Sequence, residues 1–129
     1  MKVISFLNFK GGVGKTTSAH SIAAGLKMKG KKVLVIDMDP QGTLTFFSKG
    51  ERELNGDTRE ILFHEKTIGE AITNGEEFDF IGSNIKLATS ELLLNNGYNK
   101  EQKLKKAIDK MAKDYVYDFI LIDCPPSLS

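Results

Sequence analysis

Lys10-Gly11-Gly12-Val13-Gly14-Lys15-Thr16-Thr17 is the stretch that decides how this chain folds. Gly11, Gly12 and Gly14 free the backbone to turn successive N–H groups inward, which makes a nest for an anion. Helical spacing begins at Thr16, so those amides gather at a helix N-terminus and phosphate is their natural guest. Lys15 is spaced to reach β- and γ-phosphates as a flexible cation, and the Thr16 hydroxyl offers a hard oxygen to Mg²⁺. The generic phosphate loop, G-x-x-x-x-G-K-[ST], puts Gly at position 9, where this chain has Phe9. The plain pattern therefore fails at its first residue, although Lys15-Thr16 keeps the required spacing.

Upstream of the loop, Val3, Ile4, Phe6 and Leu7 form an apolar run expected to be a strand buried on both faces. Downstream, Ala19, Ile22, Ala23 and Leu26 recur three and four apart, and Gly30 stands where a C-terminal cap belongs. Val33-Leu34-Val35-Ile36 makes a second strand that stops at Asp37-Met38-Asp39-Pro40, completing a right-handed βαβ unit. Phe119-Ile120-Leu121-Ile122 makes another buried strand, ending in Asp123-Cys124-Pro125-Pro126. Ligands of open α/β sheets bind at the carboxyl ends of strands, and all three of these strands end in residues suited to phosphate and magnesium. Asp123 is placed like a Walker B acid that completes the metal's surroundings through water.

The middle of the chain is plainer. Residues 50–57 are polar and turn-rich, Thr67-Ile68-Gly69-Glu70 has the form of a capping box opening a short helix, and Phe78-Asp79-Phe80-Ile81 fits a short strand. A short helix is expected over 87–94 before the Asn95-Asn96-Gly97 break. A longer one is expected over 99–115, with Leu104, Ala107, Ile108, Met111 and Tyr115 on one face and the pairs Glu101–Lys105 and Asp109–Lys113 supporting it.

At 129 residues, 40% hydrophobic and 27% charged, the chain has the composition of one globular domain with a modest core. A formal charge of +1 neither demands nor excludes an anionic partner. The lone Cys124 rules out an intrachain disulfide framework, and a reducing cytoplasm is the expected location. The apolar start is too short for a signal peptide, and no segment is long and apolar enough to be read as a membrane span. His20 and His64 have no partner at metal-ligand spacing and are read as structural or solvent-facing. Cys124 lacks a base motif nearby and is read as a small buried residue. The lysines between Lys100 and Lys113 alternate with Glu101, Asp109 and Asp114, which favours a solvated helix face over a DNA-binding stripe.

Lys10-Gly11-Gly12-Val13-Gly14-Lys15-Thr16-Thr17 resembles the deviant Walker A motif of the ParA/MinD superfamily, whose early lysine is here Lys10. Two further blocks extend the resemblance in the right order. Asp37-Met38-Asp39-Pro40-Gln41-Gly42 is similar to the family's second acidic motif, and residues 117–128 are similar to its Walker B region. Residues 82–91 carry a weaker likeness to the partition branch, while Phe9 and Thr43 stand where that branch often has Gln and Asn.

The resemblance implies a three-layer α/β P-loop NTPase fold with a mostly parallel sheet, of which residues 1–129 are the N-terminal portion of a single domain, truncated after the Walker B strand. It implies ATP and Mg²⁺ as cofactors, held by Lys10, Gly11, Gly12, Val13, Gly14, Lys15, Thr16 and Thr17. Thr16, Asp37 and Asp123 surround the metal. Lys10, Lys15 and Asp39 carry the chemistry: Lys10 reaches the partner's nucleotide in an ATP-sandwich homodimer, and Asp39 positions the attacking water. The function implied is partition of plasmids or chromosomes, with nonspecific DNA on the nucleoid and a centromere-binding ParB-like adaptor as partners and no membrane. A MinD-like division-site ATPase and a non-catalytic nucleotide-binding fragment are the alternatives. The family's strand order implies a first strand inside the sheet, flanked by the Walker B strand and by a strand these 129 residues lack, so its outer edge is expected to be bare and the chain to self-associate without ATP.

Overall fold

The computed structural model describes residues 1–7, 13–84 and 98–124. In chain order its elements are β1 (Lys2–Leu7), α1 (Val13–Met28), β2 (Val33–Asp37), α2 (Thr43–Lys49), α3 (Thr58–Leu62), α4 (Ile68–Ala71), β3 (Thr73–Asn74), β4 (Asp79–Ile81), α5 (Tyr98–Met111) and β5 (Phe119–Cys124). The strands form one sheet in the order β1-β5-β2-β4-β3, parallel throughout except for the antiparallel β3–β4 pair. This is the expected mostly parallel sheet.

Side chains one apart on a strand point to opposite faces, and the two cores divide accordingly. Leu34, Ile36, Ile81, Ile120 and Ile122 pack with Ile61, Leu62, Ile68, Leu104, Ile108 and Met111 from α3, α4 and α5. On the other face Val33, Val35, Phe80 and Leu121 pack with Ala23 of α1 and Leu44 of α2. Strands covered on both faces read as continuous apolar runs, which is why β2 and β5 were legible without alternation. Helices, sheet and helices make the three layers of a P-loop NTPase fold.

β1 departs from the expectation of burial on both faces. It pairs with β5 on one side only, and Val3 and Ile4, which point to opposite faces, are 47% and 38% exposed. By contrast β2, in the middle of the sheet, is buried at every position. The foot of the sheet is fixed by local polar bonds: the Lys32 amide donates to Asp118 Oδ2 at 2.7 Å, and the Tyr117 hydroxyl donates to Asp79 Oδ2 at 2.8 Å. Burial and then that carboxylate push the Tyr117 pKa up, so the phenol stays a donor.

The Thr67–Glu70 capping box is present, with the Thr67 amide donating to Glu70 Oε1 at 2.9 Å and the Glu70 amide donating to Thr67 Oγ1 at 3.2 Å. A second box, Asp57 with Glu60, opens α3. The long helix ends at Met111, short of the expected 115, with a turn at 112–114. Lys113 therefore lies past the last helical turn, and the expected Asp109–Lys113 ion pair does not form. The helix expected over 87–94 lies outside the described residues.

Candidate functional site at the strand ends

Three neighbouring parallel strands end side by side. In register, Phe6 of β1 pairs with Asp123 of β5, and Asp123 pairs with Asp37 of β2. The helix α1 opens six residues after β1 ends, at Val13, with no acidic residue in its first turn. The positive end of that helix thus begins beyond the strand end and is not offset by a local carboxylate. Gly14, Lys15, Thr16 and Thr17 belong to its first residues, whereas Lys10, Gly11 and Gly12 lie outside the described residues.

Asp37 and Asp123 are both buried, at 2% and 1% exposure. Asp37 is held from three directions: its Oδ1 accepts the Asp39 amide at 3.0 Å, and its Oδ2 accepts the Thr45 amide at 3.0 Å and the Thr45 hydroxyl at 2.5 Å. These bonds have a local cause. The N-cap of α2 is Gly42, at φ 67°, which has no side chain to offer the free amides of the first turn. Asp37 reaches across and caps that turn at Thr45, and its charge suits a helix N-terminus. Burial pushes the Asp37 carboxyl above its ordinary value of 3.8, with the bonds from Thr45 and Asp39 acting the other way. A cation brought to the strand ends would favour the charged form.

Asp39 is organised differently. Its Oδ1 accepts the Gln41 amide at 3.0 Å in a local turn, and its carbonyl accepts the Gly42 amide at 2.9 Å. Among the described residues nothing donates to Asp39 Oδ2. The residue is 7% exposed, so one carboxylate oxygen is fixed and the other is available at the end of β2.

The structure sets Asp37 and Asp123 side by side at the ends of β2 and β5, with Asp39 just past β2. Among the described residues no three His, Cys, Asp or Glu side chains converge as a metal cage. Magnesium suits such a place, since it keeps waters and takes few protein ligands beside phosphate oxygens. His20 packs edge-on to Phe78 at 5.2 Å, His64 is exposed, and Cys124 is half-buried against the core.

Reading the sequence missed Thr45, Thr58 and Ser83. The Thr45 hydroxyl accepts the Ser83 amide at 2.8 Å, and the Thr58 hydroxyl lies 2.6 Å from the Asp37 carbonyl and 3.0 Å from that of Gly82. Gly82 permits this approach, because a Cβ there would meet Leu54 at 2.8 Å and Thr45 at 2.9 Å. The available signal was Gly42, a glycine opening a helix without a cap of its own.

A family model described as an AAA domain matches residues 1–129. The chain is 38% identical over 130 residues to the sporulation initiation inhibitor protein Soj of Bacillus subtilis, covering 98% of this chain and 51% of Soj. A crystal structure of cobyrinic acid a,c-diamide synthase from Mycobacterium smegmatis with bound ADP and magnesium matches at TM-score 0.86 and 38% identity, over 98% of this chain and 52% of that one. A plasmid partition protein from Borrelia burgdorferi matches at TM-score 0.79 and 34% identity, over 98% and 56%. The chain spans about half the length of the curated relatives it matches. Among the described residues no helix is long and apolar enough to cross a membrane. The match over residues 1–129 shows that the chain belongs to the AAA-domain family, and it is similar to the ParA and Soj proteins within it.

Proposed function

We propose that this chain binds MgATP at the ends of β1, β2 and β5, as the N-terminal portion of a single P-loop ATPase domain, and that the full-length protein hydrolyses ATP to drive plasmid or chromosome partition. The observation that carries this reading is the register, which sets Asp123 between the end of β1 and Asp37 while α1 begins just beyond. The ADP and magnesium bound by the Mycobacterium synthase support it.

Bound MgATP supplies a γ-phosphoryl group for transfer to water. The amides of Gly11, Gly12, Val13 and Gly14 and the start of α1 hold phosphate oxygens, and Lys15 compensates their charge. Thr17 reaches the α-phosphate. Thr16 gives its hydroxyl to the metal, with Asp37 and Asp123 adding negative charge around it. Asp39 Oδ2 orients the attacking water, a role that matters chiefly in the transition state. Lys10 crosses to the nucleotide of a second copy, so the active unit is a homodimer. In the partition reading the protein is cytoplasmic, its ATP-bound dimer holds nonspecific DNA on the nucleoid, and a ParB-like adaptor at the centromere stimulates hydrolysis.

Two variants of the full-length protein test this. Lys15→Ala abolishes detectable ATP binding by calorimetry, because the β- and γ-phosphate charge is left poorly compensated. Asp39→Ala keeps ATP affinity while losing turnover. Unchanged affinity in the first, or equal loss of affinity and turnover in the second, contradicts the assignment.

A further inference from the structure

We infer that Thr45 is a positioning residue for Asp39, acting through Asp37: its hydroxyl locks the Asp37 carboxylate, and that carboxylate in turn holds the Asp39 amide. The inference rests on the proposed role of Asp39 and extends it to a residue outside the three sequence motifs.

Three hydrogen bonds define the chain of contacts. The Thr45 hydroxyl has one proton, given to Asp37 Oδ2 at 2.5 Å, and its oxygen accepts the Ser83 amide at 2.8 Å. The direction of the hydroxyl is therefore fixed from the far side by β4, since Ser83 follows that strand by two residues. Asp37 Oδ1, the other end of the same rigid carboxylate, accepts the Asp39 amide at 3.0 Å. Rotation of the Asp37 carboxylate would break both contacts at once. Thr45, Ser83 and Asp37 are all buried, at 7%, 8% and 2% exposure, so water does not readily replace a lost partner.

The geometry separates the duties of Asp37 and Asp39. Both of its oxygens are engaged by its own chain, whereas Asp39 Oδ2 has no donor among the described residues. Asp37 acts as a brace and Asp39 as the group presented to the reacting water. Removing the Thr45 hydroxyl leaves the Ser83 amide without an acceptor and gives Asp37 Oδ2 one bond fewer, while the Thr45 amide still caps on it. The carboxylate can then tilt, and Asp39 moves with it. A misplacement of about 1 Å costs on the order of 100-fold in rate when orientation is what a group contributes.

The test uses the full-length protein with Thr45→Val, Thr45→Ser, Asp39→Ala and the Thr45→Val/Asp39→Ala double variant. For each, kcat and KM for ATP are measured beside ATP affinity and the thermal unfolding midpoint. Thr45→Val should lower kcat about tenfold or more with KM and affinity within about threefold, and Thr45→Ser, which keeps the hydroxyl, should restore kcat to within about twofold. In the Asp39→Ala background Thr45→Val should add nothing. Should Thr45→Val unfold at the assay temperature, Thr45→Ala replaces it, because it removes the hydroxyl without setting a new methyl against Asp37. Wild-type kcat in the hydroxyl-less variant, equal deficiency of Thr45→Ser, or parallel losses of affinity and kcat overturns the inference while leaving Asp39 in place. Retained turnover in Asp39→Ala overturns the role of Asp39 itself, and the inference falls with it.

Discussion

Thr58 lies at 0% exposure with its hydroxyl 2.6 Å from the Asp37 carbonyl and 3.0 Å from the Gly82 carbonyl, joining the ends of β2 and β4 at a point where the strand ladder has stopped. Valine matches threonine in shape and removes only the donor. Thr58→Val should lower unfolding free energy by about 1–2 kcal/mol, measured by urea titration, since the hydroxyl's single proton, shared between these two buried carbonyls, is lost. No change would mean that the Thr58 amide, which also donates to Gly82 at 2.8 Å, satisfies the junction alone. At this scale the sequence shows an uneven part of the site. The strand-end positions of Asp37 and Asp123, and of Asp39 just past β2, were legible because each follows an apolar run. The partners of Asp37 were not: Thr45 is eight residues on and Ser83 a further 38, and only packing of α2 and β4 brings them together.

Short helices depend on their caps, because few intrahelical bonds offset the cost of nucleation. The helix α4 has four residues, and its box ties the Thr67 amide to Glu70. That bond, first among the causes, holds the Glu70 pKa below its ordinary value of 4.5. A lowered folded value means the box stabilises the fold above the unfolded value and loses that effect as pH falls through the folded one. Urea midpoints of the wild type and Glu70→Ala should therefore differ by a constant amount near neutral pH and converge on acidification below 4.5. A gap that holds or widens in acid would refute the box as the cause. The same chemistry explains which elements the sequence displayed. Thr67-Ile68-Gly69-Glu70 reads as a start signal, whereas Asp57-Thr58-Arg59-Glu60, with the same reciprocal bonds, begins at the end of the polar stretch 50–57 and does not stand out from it. The helix α2 offered only Gly42 as a signal, since the group that caps it is a carboxylate on another element.

Strand order governs the behaviour of the whole molecule. The hydrophobic run of β1 reads as a central strand, yet among the described residues the sheet places it at the edge beside β5, with Val3 47% and Ile4 38% exposed although Phe6 packs on the core. Apolarity identifies a strand without saying how many neighbours it has, so the burial of β1 could not be read from its residues. An edge of this kind offers unpaired amides and carbonyls beside apolar side chains, and natural sheets discourage pairing there with proline, bulges or charge. On β1 the one charged residue is Lys2, at the first position. The 129-residue chain should therefore self-associate through β1, with the apparent mass from light scattering rising with concentration and unaffected by MgATP. Ile4→Lys puts a charge in the middle of the edge and should return the chain towards monomer, without touching the nucleotide-binding residues. A monomer that dimerises only when MgATP is added, and does so equally well as Ile4→Lys, would place self-association at the nucleotide and exonerate the β1 edge.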